Sequence, residues 1–317
     1  MSYGMNGFAA LGKETTWGTA VAVTDYMQVM NESLQSQYDR FDTRNAINAM
    51  YEPDRSRGLL RVSGGVSMAA FPNALAHLAK AAMTVNSGTV VLSGYLYTNR
   101  FVTPQADFAA DAALTPYTLE VFRDVTSSQR YIGMMLNRLQ LSVAPNQPLM
   151  MTSDWLGKSQ TQLQKTAASF PGSPVNPFMF DSASISLGGS ATSRIEALTI
   201  SIDNQLEGIP ALNNSNEIAR IRRRGPQIIR VQGTLDFQDI TEFLDFTNET
   251  ERALKIAFFS TQSFNAEIHV PRMVYTAFPP NIRGRDRLTV PFQGEAKYLT
   301  TSATALGIYV TNTKSDY

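Results

Sequence analysis

The segments LLRVSGGVSM (residues 59–68) and IIRVQGTLDF (residues 228–237) are two versions of one pattern, separated by a constant offset of 169 positions from Leu59 to Ile228. Apolar side chains occupy alternate positions in both segments, and polar side chains occupy most positions between them. Because successive side chains of a strand point to opposite faces of a sheet, each segment is predicted to form a half-buried β-strand. The shared pattern indicates an internal duplication.

The sequence on both sides of these strands repeats as well. An arginine-rich turn that ends in glycine precedes each strand, at residues 55–58 and 222–225. After each strand the apolar period changes from two to about 3.6, which predicts a short amphipathic helix. Pro72 suits the first turn of the first helix, and Asp239 is placed to cap the second. The predicted apolar faces are Phe71, Leu75, Leu78 and Met83 in the first copy and Ile240, Phe243 and Leu244 in the second.

The remainder of the chain reads as short strands separated by Gly, Pro, Asn and Ser clusters. We therefore predict a mainly β protein with two similar β-sandwich or barrel-like domains, each flanked by one short α-helix. The expected divisions are an N-terminal arm (1–29), a first domain (30–168), a proline-rich linker (169–180) and a second domain (181–317). The segments 145–147 and 279–284 are expected to connect hairpins. The alternative is one large sandwich in which the repeated strand arose by chance.

The composition argues against most catalytic and binding classes. The 317 residues include no Cys and only two His, His77 and His269, so disulfides, thiolate nucleophiles and most metal sites are not expected. Lys+Arg and Asp+Glu both number 27, which lacks the basic excess of a dedicated nucleic-acid binder. No signal-peptide pattern and no apolar run of membrane-spanning length is evident. We expect a soluble protein that is not an enzyme and has no cofactor, no metal and no membrane partner.

Three parts of the chain resemble the tail tube proteins of siphophages. They are the opening GFAALGKETTWGTAVAVTDYMQV (7–29), the run IEALTISIDNQL (195–206), and the pairing of RSRGLLRVSGGVSM (55–68) with RRRGPQIIRVQGTLDF (222–237). The resemblance implies a tail tube fold, in which β-sandwiches contribute strands to a barrel around a central channel and a helix packs on the flank. It also implies stacked rings that form a hollow tube, through which phage DNA passes.

Members of that family with one tube domain form hexameric rings, whereas members with two fused domains form trimers with pseudo-sixfold symmetry. The duplication favours the trimer, with hexamers as the alternative. The resemblance further implies contacts with tape measure, terminator and baseplate proteins. DNA is expected only transiently in the lumen. The expected location is the virion tail, with assembly in the host cytoplasm.

Six residues are candidate inter-subunit contacts: Arg55, Arg57, Arg222, Arg223, Arg224 and Trp17. The Arg220–Arg224 cluster could bind phosphate, but a DNA channel benefits from a wall that does not grip phosphate. We therefore expect these arginines to face ring contacts and acidic residues of a neighbouring subunit. The N-terminal segment is hypothesised to be an arm that orders against an adjacent subunit or ring. Deletion of residues 2–18 is expected to block polymerisation without unfolding the subunit.

Two other functions compete with the tube subunit. One is another tail ring component of the same fold, such as a terminator, a baseplate ring or the inner tube of a contractile tail. The other is a β-sandwich carbohydrate-binding module, which should present clustered exposed aromatic rings. Trp17 and Trp155 are far apart in the sequence, which disfavours the second possibility.

Overall fold

The computed structural model describes residues 3–43, 50, 54–92, 96–104, 114–170, 175–259, 264–280, 287–315 and 317. The fold is mainly β, as predicted. The first half contains β1 (Phe8–Lys13), β2 (Asp25–Met27), β3 (Asn31–Glu32), β4 (Gln35–Thr43), β5 (Asp54–Ala69), α1 (Pro72–Ala82), β6 (Val85–Leu92), β7 (Leu96–Val102), β8 (Tyr117–Phe122), β9 (Ser127–Val143), β10 (Met150–Gly157) and β11 (Ser159–Gln164). The second half contains β12 (Ala183–Leu187), β13 (Ser190–Thr192), β14 (Ile195–Asp203), β15 (Leu206–Ile209), β16 (Arg220–Arg223), β17 (Ile228–Asp236), α2 (Thr241–Thr247), β18 (Arg252–Phe259), β19 (Asn265–Ala277), β20 (Thr289–Ala296) and β21 (Gly307–Asn312). Short 3-10 turns lie at Gly4–Asn6 and Phe180–Ser182.

The central feature is an antiparallel sheet that runs through both halves of the chain, here called the long sheet. Its strand order is β4-β5-β10-β9-β14-β17-β20-β19, and β3 also pairs with the end of β5. The two repeated segments form β5 and β17. Their alternate apolar side chains, such as Val62 and Val231, are buried, whereas Arg61 and Arg230 between them are exposed. The long sheet therefore has one apolar face and one polar face.

Two smaller sheets cover the apolar face. The first cover sheet has the order β2-β1-β8-β9-β11, and the second has the order β13-β12-β18-β19-β21-β7-β6. β9 and β19 are long enough to pair in a cover sheet through their first halves and in the long sheet through their second halves. One continuous apolar core fills the space between the layers and extends across both halves of the chain.

The same pattern of strand pairing occurs twice. In chain order, β1, β2, β4, β5, α1, β8, β9, β10 and β11 correspond to β12, β13, β14, β17, α2, β18, β19, β20 and β21. Each pairing among the members of the first set recurs among the members of the second. We call these two units the first repeat and the second repeat. The two repeats share the long sheet and one continuous core. The duplication is therefore visible in the strand pairing, although the core is not divided into two.

A matched glycine fixes the register of both repeats. Gly64 lies opposite Trp155, and Gly233 lies opposite Phe292, so an aromatic ring covers glycine in each repeat. A Cβ atom at Gly64 would lie 2.4 Å from the carbonyl oxygen of Ser33, and one at Gly233 would lie 2.7 Å from that of Ala197. Only glycine permits the neighbouring strand to approach this closely, which accounts for its presence in both copies.

This register uncovers a second repeated segment. Leu198 lies opposite Gly233, and the backbone of Leu34 lies against Gly64, so β4 and β14 can be aligned. The aligned sequences are ESLQSQYD (32–39) and EALTISID (196–203), which share Glu, Leu and Asp at the first, third and last positions. The offset here is 164 positions rather than 169, because the hairpin between these strands and β5 or β17 differs in length. Because of this difference, the two segments do not coincide at the offset of 169 that relates β5 to β17.

The repeats also differ by an inserted hairpin in the first repeat and by the length of a hairpin that both share. Strands β6 and β7 form a hairpin between α1 and β8, with no counterpart in the second repeat, and β7 pairs with β21 of the second repeat. Strands β15 and β16 continue the β14–β17 hairpin, as the outer parts of β4 and β5 do in the first repeat. Both hairpins leave the same end of the long sheet, because β5 and β17 run parallel to each other within it.

The N-terminal segment is placed differently from the predicted arm. Residues 8–13 form β1, which lies between β2 and β8 in the first cover sheet, with Ala9, Ala10 and Leu11 buried. Deletion of residues 2–18 would therefore remove an internal strand, so the expectation of a soluble truncated subunit does not hold. Buried Phe178 anchors the predicted linker, and its backbone bonds to Ala70 and Leu149. Residues 145–147 connect β9 and β10 as expected, whereas most of 279–284 lies outside the described residues.

A polar cluster joins the two chain ends to α1. The Nε2 atom of His77 lies 3.1 Å from Oδ1 of Asp25, and Nζ of Lys314 lies 2.8 Å from the same oxygen. The ring of Tyr317 packs edge-on against His77, and Nζ of Lys13 donates to the Tyr317 carbonyl oxygen at 2.7 Å. Burial lowers the pKa of His77, although Asp25 opposes that shift. Burial raises the pKa of Asp25, but hydrogen bonds from His77 and Lys314 outweigh it and leave the pKa below its usual value.

We expect stability to fall as the pH decreases from 7.5 to 5.5, and His77 to account for part of the loss. Because its folded-state pKa lies below the ordinary value of 6.5, the unfolded chain takes up the proton first, so stability is lost as the pH falls through that value. Replacement His77→Gln should reduce the change in melting temperature between these two pH values. An unchanged pH dependence in the variant would contradict the assignment; the Asp25 contribution is separable because it disappears only near pH 4 and below.

Candidate assembly interfaces

The connection between β1 and β2 is organised by one buried carboxylate. Glu14 accepts hydrogen bonds from the backbone N–H of Gly18 at 2.8 Å, the hydroxyl of Thr118 at 2.7 Å and the backbone N–H of Gly133 at 2.8 Å. The indole of Trp17 donates to the Gly133 carbonyl oxygen at 2.9 Å. The backbone N–H and C=O of Gly133 are therefore both hydrogen-bonded to residues of the motif GKETTWG (12–18), which is part of the family resemblance.

Trp17 supports the hairpin formed by β15 and β16. Met135, Ile218 and Ile221 form a small buried cluster, with Trp17, Leu59, Leu156 and Leu206 packed against it. The backbone N–H of Leu60 donates to the Asn216 carbonyl oxygen at 2.7 Å, which ties the hairpin to β5. The hairpin of the second repeat thus rests on the first repeat, and Trp17 makes its described contacts within the chain.

The two repeats meet where β9 pairs with β14, here called the internal seam. The pairing runs from Leu198 opposite Val143 to Asp203 opposite Arg138, and these last two side chains form an ion pair of 3.3 Å. Next to the seam, the buried amide of Asn204 donates to the carbonyl oxygens of Ala82 and Leu136 at 3.2 and 3.0 Å. A backbone ladder and satisfied buried polar groups therefore hold the repeats in a fixed orientation.

The outer edges of the long sheet are formed by β4 and by residues 274–277 at the end of β19. In the described part of the chain, no strand pairs with the outer side of either one. These edges are counterparts of the strands at the internal seam, because β4 corresponds to β14 and β19 corresponds to β9. The two edges of the long sheet are therefore formed by the strands that correspond to the pair joined at the internal seam.

The arginines predicted to make inter-subunit contacts lie on the two hairpins. Arg55 forms an ion pair with Asp42 at 2.6 Å, and the guanidinium of Arg57 lies 5.3 Å from the centre of the Tyr38 ring. Arg222 and Arg223 belong to β16, where Arg222 lies opposite Glu207 in the ladder, and Arg224 is exposed just beyond it. Asp42 and Glu207 thus lie beside Arg55 and Arg222, and the arginine side chains line two hairpins at one end of the long sheet.

The polar face of the long sheet carries paired charges among hydroxyl and amide side chains. Arg61 pairs with Asp39 at 2.9 Å, Arg138 with Asp203, and Arg230 lies 4.0 Å from Glu295. The Arg61 hydrogen bond holds the pKa of Asp39 below its usual value. The uncharged polar positions are Gln35, Gln37, Ser63, Ser67, Gln140, Ser142, Thr152, Thr199, Ser201, Gln232, Thr234 and Gln293. The face therefore offers few arginines without a carboxylate beside them.

Other possible sites have ordinary structural roles. Trp155 is buried against Tyr117 and donates to the hydroxyl of Ser153, so its ring is no sugar platform. Among the described residues, no group of three or more His, Asp or Glu side chains is arranged to hold a metal ion. None of the helices in the described ranges is long and apolar enough to cross a bilayer.

A family model described as phage tail tube protein matches residues 4–296, which is most of the chain. It confirms the resemblance to phage tail tube proteins noted in the sequence. No curated protein matches the chain. The matched region includes both repeats up to the end of β20 and the Glu14 and Trp17 loop.

We expect Glu14→Gln to destabilise the subunit by roughly 2 kcal/mol, because an amide cannot accept all three hydrogen bonds of a buried carboxylate and places an NH₂ group against donors. Urea unfolding followed by circular dichroism measures the change, and Glu249→Gln on an exposed turn serves as the matched control. Limited proteolysis should also cut the variant faster within residues 14–24. Equal unfolding midpoints for the two variants would show that Glu14 does not organise this loop.

Proposed function

Because the chain belongs to the phage tail tube protein family, whose members are structural components of the virion tail, we propose that it closes into homotrimeric rings that stack into a hollow tube. The observation that carries this proposal is the match between the internal seam and the two open edges of the long sheet. Pairing β4 of one chain with the β19 edge of the next would repeat the β9–β14 relation between chains. The backbone groups left unpaired at both edges would then find partners.

Head-to-tail pairing of this kind gives a closed ring or an open helix, depending on the rotation at each joint. When the joint between chains resembles the joint within a chain, all repeats in the ring are related by nearly the same rotation. Three chains then supply six repeats, which is the pseudo-sixfold arrangement that the family resemblance implies. A ring of six chains, with twelve repeats, is the alternative.

Phe41 supports this arrangement. In the aligned hairpins, Phe41 occupies the position of Leu206, since Ser56 and Arg223 are their respective cross-strand partners. Leu206 packs against the first repeat, whereas Phe41 is 66% exposed. In the proposed ring, Phe41 packs on the second repeat of the neighbouring chain, as Leu206 packs on the first repeat within the chain.

The polar face of the long sheet is proposed to line the lumen. Its arginines lie next to carboxylates, and the remaining positions are mostly hydroxyl and amide groups, so phosphate meets few unneutralised cations. DNA could then pass without being held. The arginine-bearing hairpins project together from one end of the sheet, and we propose that Arg55, Arg57, Arg222, Arg223 and Arg224 contact the next ring, with Trp17 supporting the second hairpin from within.

The proposal also covers the partners and location of the protein. The subunit assembles in the host cytoplasm into a non-contractile, siphophage-type tail, where the tube contacts tape measure, terminator and baseplate proteins. Electron microscopy of the purified chain over a range of concentrations tests the central claim. Rings or tubes of uniform diameter with six repeats per ring are the expected result, and a monomer at all concentrations would contradict it.

A proline at the β4 edge should block ring formation without unfolding the subunit. The N–H of Ser33 donates to Gly65, so the alternation of the strand points the N–H of Ser36 outward, toward the proposed neighbour. Ser36→Pro removes that donor, and Ser36→Ala keeps it while removing the same side-chain bond to Gln160. We expect folded monomers for Ser36→Pro and rings for Ser36→Ala by light scattering; rings from both variants would rule out pairing at this edge.

A further inference from the structure

The two helices occupy equivalent places in the repeats but differ in burial. α1 begins at Pro72 and α2 begins at Thr241, and these positions differ by the same offset of 169 that relates β5 to β17. At this offset Phe71 aligns with Ile240, and Leu75 aligns with Leu244. Leu75 has none of its surface exposed, whereas Leu244 is 46% exposed and Ile240 is 57% exposed. The same apolar position is therefore covered in the first repeat and open in the second.

The cover over α1 comes from β21 of the other repeat and from β7 of the inserted hairpin. α1 contacts β9 of its own repeat on one side and β21 and β7 on the other. The amide of Asn312, at the end of β21, lies 3.5 Å from the carbonyl oxygen of Pro72 at the start of α1. α2 has its main contact with β19, the counterpart of β9. What α2 lacks is a strand in the position that β21 occupies over α1.

The counterpart of β21 is β11, an edge strand of the first cover sheet. Tyr131 pairs with Leu119 as Val270 pairs with Leu254, which aligns β9 with β19 and therefore β11 with β21. In this alignment Gln162 and Gln164 take the places of Ile308 and Val310. Both glutamines are exposed, whereas Ile308 and Val310 are fully buried.

We propose that the exposed face of α2, formed by Ile240, Leu244 and Thr247, is a docking surface for β11 of a second copy of this chain. This inference rests on the proposed ring and names its second contact, which lies in the outer layer rather than in the long sheet. The partner is a second copy because the relation between α1 and β21 already exists inside the chain and the rotation from one repeat to the next brings β11 to α2.

The side chains on the two sides fit this role. A strand that must stay soluble before assembly cannot carry Ile and Val on an open face, and glutamine offers long methylene chains that can lie along Leu244 while the amides remain hydrated. The apolar area on α2 is small, so the contact adds to the strand pairing rather than replacing it.

Interchain cysteine pairs test the contact directly, because the chain contains no other cysteine. Variants carrying Leu244→Cys together with Gln162→Cys or Gln164→Cys would be assembled, oxidised mildly and separated under denaturing, non-reducing conditions. At least one pair should give covalent dimers and a closed covalent trimer. Leu244→Cys alone, and Leu244→Cys with Gln232→Cys on the polar face of the long sheet, are the matched controls.

A second variant measures the strength of the contact. Leu244→Asp should raise the protein concentration needed for half-maximal ring assembly by about tenfold, because burial of the leucine against the neighbour is lost. Phe259→Asp, at an exposed position that aligns with Asp124 of the first repeat, should leave that concentration unchanged. Rings that form normally with Leu244→Asp and give no cross-link above the controls would overturn the docking of α2 while leaving the ring intact. Failure of the unmodified chain to form rings would instead overturn the proposed function.

Discussion

The open edge of a β-sheet is the constraint on which this structure depends. A strand at an edge exposes unpaired N–H and C=O groups, and a sheet that contains eight strands in one chain still has two such edges. Within the chain, the backbone groups at one edge of each repeat are paired at the internal seam, where β9 of the first repeat pairs with β14 of the second. The long sheet is continuous for that reason, and the core beneath it is continuous as well. The cover sheets, the helices and the loop around Glu14 all pack on a layer whose geometry this pairing sets.

The two repeats are closely similar in their paired strands and less similar in the loops and hairpins that connect those strands. The pairing pattern and the glycines opposite Trp155 and Phe292 are shared because a change of register would move every buried side chain to the polar face. Insertions occur where the core does not constrain the chain: the β6–β7 hairpin extends the second cover sheet, and the long β1–β2 loop with Trp17 replaces the two-residue turn at Gly188 and Gly189. Each insertion of the first repeat contacts the second repeat, so the differences between the copies reinforce their union within one chain.

Strand type, helix position and duplication were predictable from the sequence because they depend on local periodicity. The alternation around Gly64 and Gly233 and the helix after each strand follow from residues close together in the chain. Asp239 accepts the Thr241 N–H at 2.8 Å, but the N-cap position of α2 is Ile240 rather than the predicted Asp239. The role of Glu14 did not follow, since its donors come from Thr118 and Gly133, more than a hundred positions away. The prediction of an N-terminal arm is wrong because the small residues Ala9 and Ala10 are buried by packing between strands rather than by hydrophobic bulk. The match between β4 and β14 is not evident from the sequence alone because the hairpins differ in length.

A subunit of this kind must remain soluble alone and still associate with its own copies, and its surfaces show how both demands can be met. Phe278, Pro279 and Pro280 follow the end of β19, and proline has no N–H with which to extend a ladder at random. Gln162 and Gln164 stand where the second repeat carries buried Ile308 and Val310. These prolines and glutamines both make the exposed strands poorer templates for nonspecific pairing. The proposed ring therefore depends on several modest contacts made at once, at the sheet edge, at Phe41 and at α2. Because the second and third contacts cost little additional entropy once the first has formed, assembly can be cooperative although each exposed surface is small.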